Sequence, residues 1–145
     1  MYCLVLRHLS PIQKGIQSAH AIVEYGNLYR NTATYQRWAF YDKTIVMLDV
    51  HSYTDLMNVT STFFEQGWLY VSFAEEDLNN IPTAVCFLAD ERIYDYETYG
   101  RSYEDHERQM KENGHTADYG GWLDMIGGES AEKVKEIVSN LRIAI

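Results

Sequence analysis

Long apolar runs are absent from this chain of 145 residues. The longest, residues 44–48 and 84–89, have the length of strands, whereas a membrane-spanning helix needs roughly 18 consecutive apolar residues. Residues 1–7 also lack the basic start and the small-residue cleavage site of a signal peptide. We therefore expect a first strand at residues 1–7 and a soluble, cytoplasmic protein without membrane contacts.

Cysteine is scarce, with only Cys3 and Cys86, and both lie inside apolar, strand-like runs. A disulfide-based scaffold needs more cysteines, so we interpret the two as small buried hydrophobic residues of a reduced protein, with a disulfide as the less favoured alternative. The histidines do not form the short-spaced pairs typical of zinc sites; they are His8, His20, His51, His106 and His115. We expect neither a metal nor a cofactor.

Positive charge is also scarce, because 12 Lys and Arg face 21 Asp and Glu, a formal net charge of −9. This balance argues against binding to duplex or long RNA, which depends on phosphate neutralisation. Residues 1–89 carry a net charge of −3 and residues 90–145 carry −6. Arg7, Lys14 and Lys43 can still form a local basic patch for a small phosphate group, whereas the acidic rear part is not expected to contact phosphate.

Four runs rich in aliphatic and β-branched residues predict strands, at residues 2–7, 43–50, 68–73 and 83–88. Between the first two, Ser10, Pro11 and Gln13 predict a capped helix that runs to about Tyr29. Its apolar residues recur with helical spacing and predict one buried face: Ile12, Ile16, Ala19 and Val23.

A second helix is predicted after Ser52 or Thr54, with Gly67 as its stop. Its predicted inner face consists of Leu56, Val59 and Phe63. A further helix is expected around residues 102–112, and the last helix is expected to begin at a Ser130 cap and to cover one face of the sheet. Strand–helix–strand alternation predicts an α/β domain with a four-stranded mixed sheet flanked by helices.

The segment at residues 90–128 is rich in tyrosine and acidic residues, and we interpret it as an insertion into a single domain whose core is residues 1–89 and 129–145. Its tyrosines either pack internally or form a lid or stacking platform for a base, since base stacking tolerates an acidic chain. The acidic, aromatic surface is also suited to a protein partner. The tyrosines in question are Tyr94, Tyr96, Tyr99 and Tyr103.

Gln17 and His20 lie one turn apart at the edge of the predicted buried face of the first helix, where they could line a cleft beside the sheet. The alternative for His20 is packing at the core margin with a hydrogen bond to a backbone carbonyl. The run Glu75-Glu76-Asp77, followed by Asn79 and Asn80, is equally consistent with a solvated turn.

Several short motifs occur in an order that resembles one known family. They are LVLR at residues 4–7, KGIQSAHA at 14–21, KTIVM at 43–47, GWLYV at 67–71, the acidic Glu76-Asp77, TAVC at 83–86 and a final helix near 130–143. In this order they resemble the second, archaeal and eukaryotic, type of peptidyl-tRNA hydrolase. The chain departs from that family in the position of Lys14, which is shifted by one residue, in a short loop from Asp77 to Thr83, and in residues 89–128.

The resemblance implies a hydrolytic site with His20, Asp77 and Thr83 in catalytic roles. It also implies ligand contacts from a wider set: Arg7, Lys14, Gln17, Lys43, Glu76, Asn79 and Asn80. A carboxylate or imidazole could activate water, while Lys and Thr side chains could bind phosphate or a developing oxyanion.

The expected function is therefore binding, with or without hydrolysis, of a nucleotide or of the 3′ end of tRNA. One alternative is a phage counter-defence protein that sequesters or cleaves a nucleotide immune signal. Another is a non-catalytic inhibitor that binds a protein through residues 90–128. We interpret the compact loops and the many Tyr and Asn residues as consistent with a phage-encoded protein, and a homodimer is an open assembly state.

Overall fold

The computed structural model describes residues 1–144. These residues form two compact units. The first unit comprises residues 1–89 and 141–144, and the second comprises residues 90–140. The last helix therefore groups with the residues that the sequence analysis treated as an insertion, and not with the core. Each unit is described by itself below.

A five-stranded mixed sheet forms the centre of the first unit. Its strands are Tyr2–Leu6 (β1), Val46–Val50 (β2), Tyr70–Glu75 (β3), Ile81–Phe87 (β4) and Arg142–Ile143 (β5). Their order in space is β3-β4-β1-β2-β5, with β1 parallel to β2 and the other neighbouring pairs antiparallel. The predicted α/β class and mixed sheet are confirmed. The predicted count of four strands was wrong, because the two exposed residues of β5 carry no apolar pattern.

The helices of the first unit begin where capping residues predict them. They are Pro11–Tyr29 (α1), Ala33–Arg37 (α2) and Tyr53–Glu65 (α3), with a π-helical turn at Trp38–Asp42. Ser10 and Gln13 form the predicted reciprocal capping box at the start of α1. Ser52 caps α3 through the backbone N–H of Asp55. These local signals are reliable because a helix terminus must satisfy its free N–H groups within a few residues.

Helices α1 and α3 cover opposite faces of the sheet. Phe63 of α3 packs against Phe87, with ring centroids 4.5 Å apart, whereas Tyr25 of α1 belongs to the core cluster that contains Cys3 and Cys86. Neighbouring residues of a strand point to opposite faces, so Cys86 and Phe87 define two separate layers. All residues of β1 are buried as a result, and β1 reads as a continuous apolar run.

The buried face of α1 is not the one that hydrophobic spacing predicts. Ile12 is 76% exposed and Val23 is 60% exposed, and Ile16 and Ala19 are exposed as well. The opposite side of α1 faces the sheet instead; its buried residues are Lys14, Gln17, Ser18, Ala21, Tyr25 and Gly26. Apolar spacing identified the helix correctly but not its orientation, because Lys14 and Gln17 find side-chain partners near the strand ends.

The second unit consists of short helices: Tyr96–Tyr99 (α4), Tyr103–Glu112 (α5), Tyr119–Ile126 (α6) and Glu129–Ser139 (α7). Its tyrosines pack largely among themselves. The Tyr103 ring lies 5.1 Å from Tyr119 and 5.7 Å from Trp122, and Tyr94 lies 4.9 Å from Tyr96. These contacts support internal packing of the tyrosines. The predicted Ser130 cap was wrong, since Gly128 occupies the N-cap of α7.

A buried lysine lies inside the second unit. The Lys135 side chain donates to the backbone carbonyls of Arg92 and Ile93, at 3.0 and 3.1 Å, and its ammonium lies 5.0 Å from the centre of the Tyr96 ring. Lys135 is only 1% exposed, and this burial lowers the pKa of its amine to about 8. The folded second unit therefore keeps the Lys135 ammonium charged and buried at neutral pH, although removing this charge from water costs free energy.

Among residues 1–144, no helix is long and apolar enough to span a bilayer.

Substitutions in the exposed apolar stripe of α1, which consists of Ile12, Ile16, Ala19 and Val23, should have small effects on stability. Ile12→Gln and Ile16→Gln should each change the free energy of unfolding by less than about 0.5 kcal/mol, because little apolar area is lost from a packed interface. Leu4→Ala in β1 is the control and should cost about 2–5 kcal/mol. Urea unfolding measures all three, and losses at Ile12 comparable to that at Leu4 would mean that the stripe is buried.

The contribution of Lys135 to the free energy of unfolding should rise with pH above about 8. Because its folded pKa of about 8 is below the ordinary value of 10.5, the native state releases this proton first and the unfolded state binds more protons. Relative to Lys135→Met, the wild type should gain about 2 kcal/mol between about pH 7 and about pH 10. Urea unfolding of both proteins at the two pH values provides the comparison; a constant difference would contradict this assignment.

Candidate functional site

Polar side chains collect at one edge of the sheet, where β1, β2 and β3 end. Arg7 follows β1, Asp49 lies one residue from the end of β2, and Glu75 ends β3. Strand β3 runs in the same direction as β1, because both are antiparallel to β4. In open α/β sheets, ligands usually bind outside the carboxyl ends of the strands, so this edge is the candidate site.

A bulge in β4 directs Thr83 toward α1. Phe73 pairs with Ala84, but the next residue of β3, Ala74, pairs with Pro82, so Thr83 is the extra residue of β4. Regular alternation would place Thr83 on the face opposite Ala84, which belongs to the core cluster under α1. The extra residue breaks this alternation, as bulges beside functional sites often do.

Thr83, Gln17 and Glu75 form a continuous hydrogen-bonded chain. The Thr83 hydroxyl donates to Gln17 Oε1 at 2.7 Å, and Gln17 Nε2 donates to Glu75 Oε2 at 2.6 Å. A carboxylate only accepts, which fixes the orientation of the Gln17 amide and makes the Thr83 hydroxyl the donor at the other end. Thr83 and Gln17 are 1% and 6% exposed, so the arrangement is held in a largely dry environment.

A pocket of about 310 Å³ lies beside this chain. Its lining residues are His20, Phe73, Ala74, Glu75, Glu76 and Asp77. The His20 ring stacks on Phe73, with centroids 4.7 Å apart and planes 12° from parallel. His20 is exposed, so it forms part of the pocket wall and does not pack at the core margin. Glu75 joins the two features, because it lines the pocket and accepts from Gln17.

Lys14 is engaged by a carboxylate that the sequence analysis did not select. Its ammonium lies 2.7 Å from Asp49 Oδ1, and the two side chains are 4% and 12% exposed. A charge buried to this extent requires a partner. The signal for Asp49 was present in the sequence, since it is an acid within the apolar strand Val46–Val50. Glu75 was missed as well, although it adjoins the selected Glu76 and Asp77.

The remaining predicted site residues divide between the two ends of the sheet. Arg7 is exposed and its Nη1 lies 3.4 Å from His51 Nδ1, at the same edge as Asp49. Lys43 precedes β2 and lies at the opposite edge, because β2 is about 17 Å long and separates it from Asp49. The structure therefore does not unite Arg7, Lys14 and Lys43 in one basic patch.

Asn79 and Asn80 supply the turn between β3 and β4. Both have a left-handed backbone, with φ of 59° and 55°, and the Asn80 N–H donates to the Glu75 carbonyl at 3.0 Å. Asparagine is among the residues that adopt this conformation most readily. Their observed role is to turn the chain after Glu76 and Asp77, which are thereby held at the pocket.

The buried ion pair predicts strong coupling between its partners. Lys14→Met should cost about 3–5 kcal/mol of stability because Asp49 is left buried and unpaired. The double variant with Asp49→Leu should cost less than the sum of the two single changes. Arg37→Met, which removes an exposed pair with Asp42, is the control and should cost less than about 1 kcal/mol. Urea unfolding of the set measures the coupling, and equal losses for Lys14→Met and Arg37→Met would contradict it.

Comparison with known proteins adds no family to this description. The chain matches no protein-family model, and a search among curated proteins finds no significantly similar sequence. The resemblance to peptidyl-tRNA hydrolases therefore rests on the sequence motifs alone.

Proposed function

We propose that the chain is a hydrolase related to the peptidyl-tRNA hydrolases, and that it binds the 3′ end of a tRNA and cleaves the ester at its terminal ribose. The observation that carries the proposal is the Thr83–Gln17–Glu75 chain beside the pocket lined by His20 and Asp77. An imidazole and carboxylates line the pocket, and the buried Thr83 hydroxyl is connected to it through Gln17 and Glu75. Imidazole and carboxylate groups can act as the general base in ester hydrolysis by water.

The hydrogen-bond directions suggest how water is positioned. The buried Thr83 hydroxyl donates to Gln17, and Gln17 donates to Glu75. The chain therefore holds the Glu75 carboxylate at the pocket wall, where it can accept a hydrogen bond from water. In the proposed reaction, water attacks the ester carbonyl carbon and transfers a proton to Asp77 or His20. The bond between the carbonyl carbon and the ribose oxygen breaks, and that oxygen takes up a proton. The products are a carboxylic acid and a free terminal ribose hydroxyl.

The charges at this edge suggest that different parts of the ligand bind at two places, the acidic pocket and Arg7. Glu75, Glu76 and Asp77 make the pocket acidic and unfavourable for phosphate, so we assign the ester and the terminal base to it. The His20 and Phe73 rings offer a stacking surface for a base. The exposed Arg7 lies at the same edge and is assigned to a phosphate.

A second candidate is binding of a nucleotide without turnover, as in sequestration of a nucleotide signal. It is favoured by the engagement of two groups that would otherwise stabilise an oxyanion: the Lys14 ammonium contacts Asp49 and the Thr83 proton is donated to Gln17. A lid or protein-binding role for residues 90–128 stays a prediction.

Thr83→Val tests the proposed hydrolysis. The variant keeps the shape of the side chain but removes the hydroxyl, so kcat/KM for an N-acetyl-aminoacyl-tRNA should fall roughly 10- to 100-fold. Thr62→Val on α3 is a matched control, because it removes an exposed hydroxyl that contacts the Asn58 carbonyl, and it should leave the rate unchanged.

Release of the labelled N-acetyl-amino acid measures the rate, and calorimetric titration with AMP or with the tRNA measures binding. Equal rates for Thr83→Val and Thr62→Val would remove Thr83 from the mechanism. Binding of AMP by the wild type without any ester cleavage would favour the sequestration candidate. Neither binding nor cleavage would reject both.

A further inference from the structure

Two thiols that the proposed function does not use lie against each other inside the sheet. Cys3 of β1 pairs directly with Cys86 of β4 in the antiparallel register. Both residues are 0% exposed, and both are free cysteines. Residues directly opposite each other on antiparallel strands have side chains on the same face, here the face under α1.

The separation of the sulfur atoms is unusually small. Cys86 Sγ lies 2.7 Å from Cys3 Sγ, and a disulfide bond has a length of about 2.05 Å. Closing the bond therefore requires a displacement of less than about 1 Å, which rotation about the side-chain bonds can supply. Directly opposed residues of antiparallel strands also have Cα atoms about 4.5–5.5 Å apart, which lies within the range at which disulfides occur.

We propose that Cys3 and Cys86 are a reversible thiol–disulfide pair that links β1 covalently to β4 when the protein meets a low-molecular-weight disulfide such as oxidised glutathione. One cysteine thiolate attacks the glutathione disulfide and releases one glutathione thiolate. The other cysteine thiolate then attacks the mixed disulfide and releases the second glutathione. The two cysteines lose two protons and two electrons, and one glutathione disulfide becomes two glutathione thiols.

The bond would join distant parts of the chain and constrain the site. Cys3 and Cys86 are 83 positions apart, so the bond restricts the unfolded chain far more than the native sheet. Strand β1 leads into α1, which carries Gln17, and Thr83 lies three residues before Cys86. Oxidation therefore fixes the two segments that hold the Thr83–Gln17 hydrogen bond.

Burial sets the rate of the reaction. Burial and the contact with Cys3 raise the pKa of the Cys86 thiol well above its usual range, so the folded chain has few thiolates. We expect slow oxidation of the native protein and much faster oxidation during refolding, when the thiols meet solvent before the sheet closes.

The test is refolding of the full chain in a glutathione redox buffer, followed by alkylation of free thiols and measurement of the intact mass. The wild type should be lighter by two hydrogen atoms, carry neither glutathione nor alkyl groups, and regain both thiols on reduction. Its Tm should rise by roughly 10 °C on oxidation. Cys3→Ser and Cys86→Ser should each show a glutathione adduct or one alkylated thiol, with no increase in Tm.

Two outcomes would overturn the proposal. In the first, the wild type keeps two alkylatable thiols, or takes up glutathione at both cysteines, under conditions in which the single variants form adducts. In the second, the bond forms but the Tm falls and the circular dichroism of the reduced protein is lost, which would mean that it forms only outside the native sheet.

Discussion

Helix α1 packs on the sheet partly through two large polar side chains, Lys14 and Gln17, and both need a partner in the dry interface. Lys14 and Gln17 lie on the buried side, where an unpaired ammonium or amide would cost several kcal/mol. Asp49 pairs with the Lys14 ammonium, and the Gln17 amide forms hydrogen bonds with Thr83 and Glu75. This requirement ties the position of α1 to three residues near the carboxyl ends of the strands, namely Asp49, Glu75 and Thr83.

The same requirement explains two features that look unfavourable on their own. The bulge in β4 interrupts a regular ladder, yet it directs the Thr83 hydroxyl to Gln17. The apolar stripe of α1 containing Ile12 and Val23 is left exposed, because the polar side of the helix is committed to the sheet. Burial of polar groups at the expense of apolar ones is uncommon in a structural helix, and it is typical of helices that carry a site.

The charge of the chain narrows the kind of ligand that suits this edge. A pocket bordered by Glu75, Glu76 and Asp77 repels phosphate, and the net charge of −9 disfavours long nucleic acids. What remains compatible is contact with an uncharged reacting end and few phosphates, whether these belong to a nucleotide or to the terminus of a longer chain. The two proposed functions differ in whether Lys14 and Thr83 stay engaged with Asp49 and Gln17 when such a ligand is present.

Much of the fold could be predicted from the sequence because its signals are local. The Ser10–Gln13 box and the Ser52 cap act within three residues, and the four main strands are recognisable as apolar runs. Gln17, His20, Asp77 and Thr83 were selected through motif order, and the structure brings them to one edge. The short strand β5 carries no such signal, since its pairing with β2 depends on residues nearly a hundred positions away.

The sequence by itself thus determined the class of fold, the helix starts and most of the polar residues at the edge. Only the tertiary structure decided which face of α1 is buried, that Lys14 is neutralised by Asp49, and that Glu75 completes the chain through Gln17. The partners in these contacts are 35, 66 and 58 positions apart, for Lys14–Asp49, Gln17–Thr83 and Gln17–Glu75. No periodicity within a helix or strand encodes such pairings, because they arise only when separate elements meet and each buried polar group must find its partner.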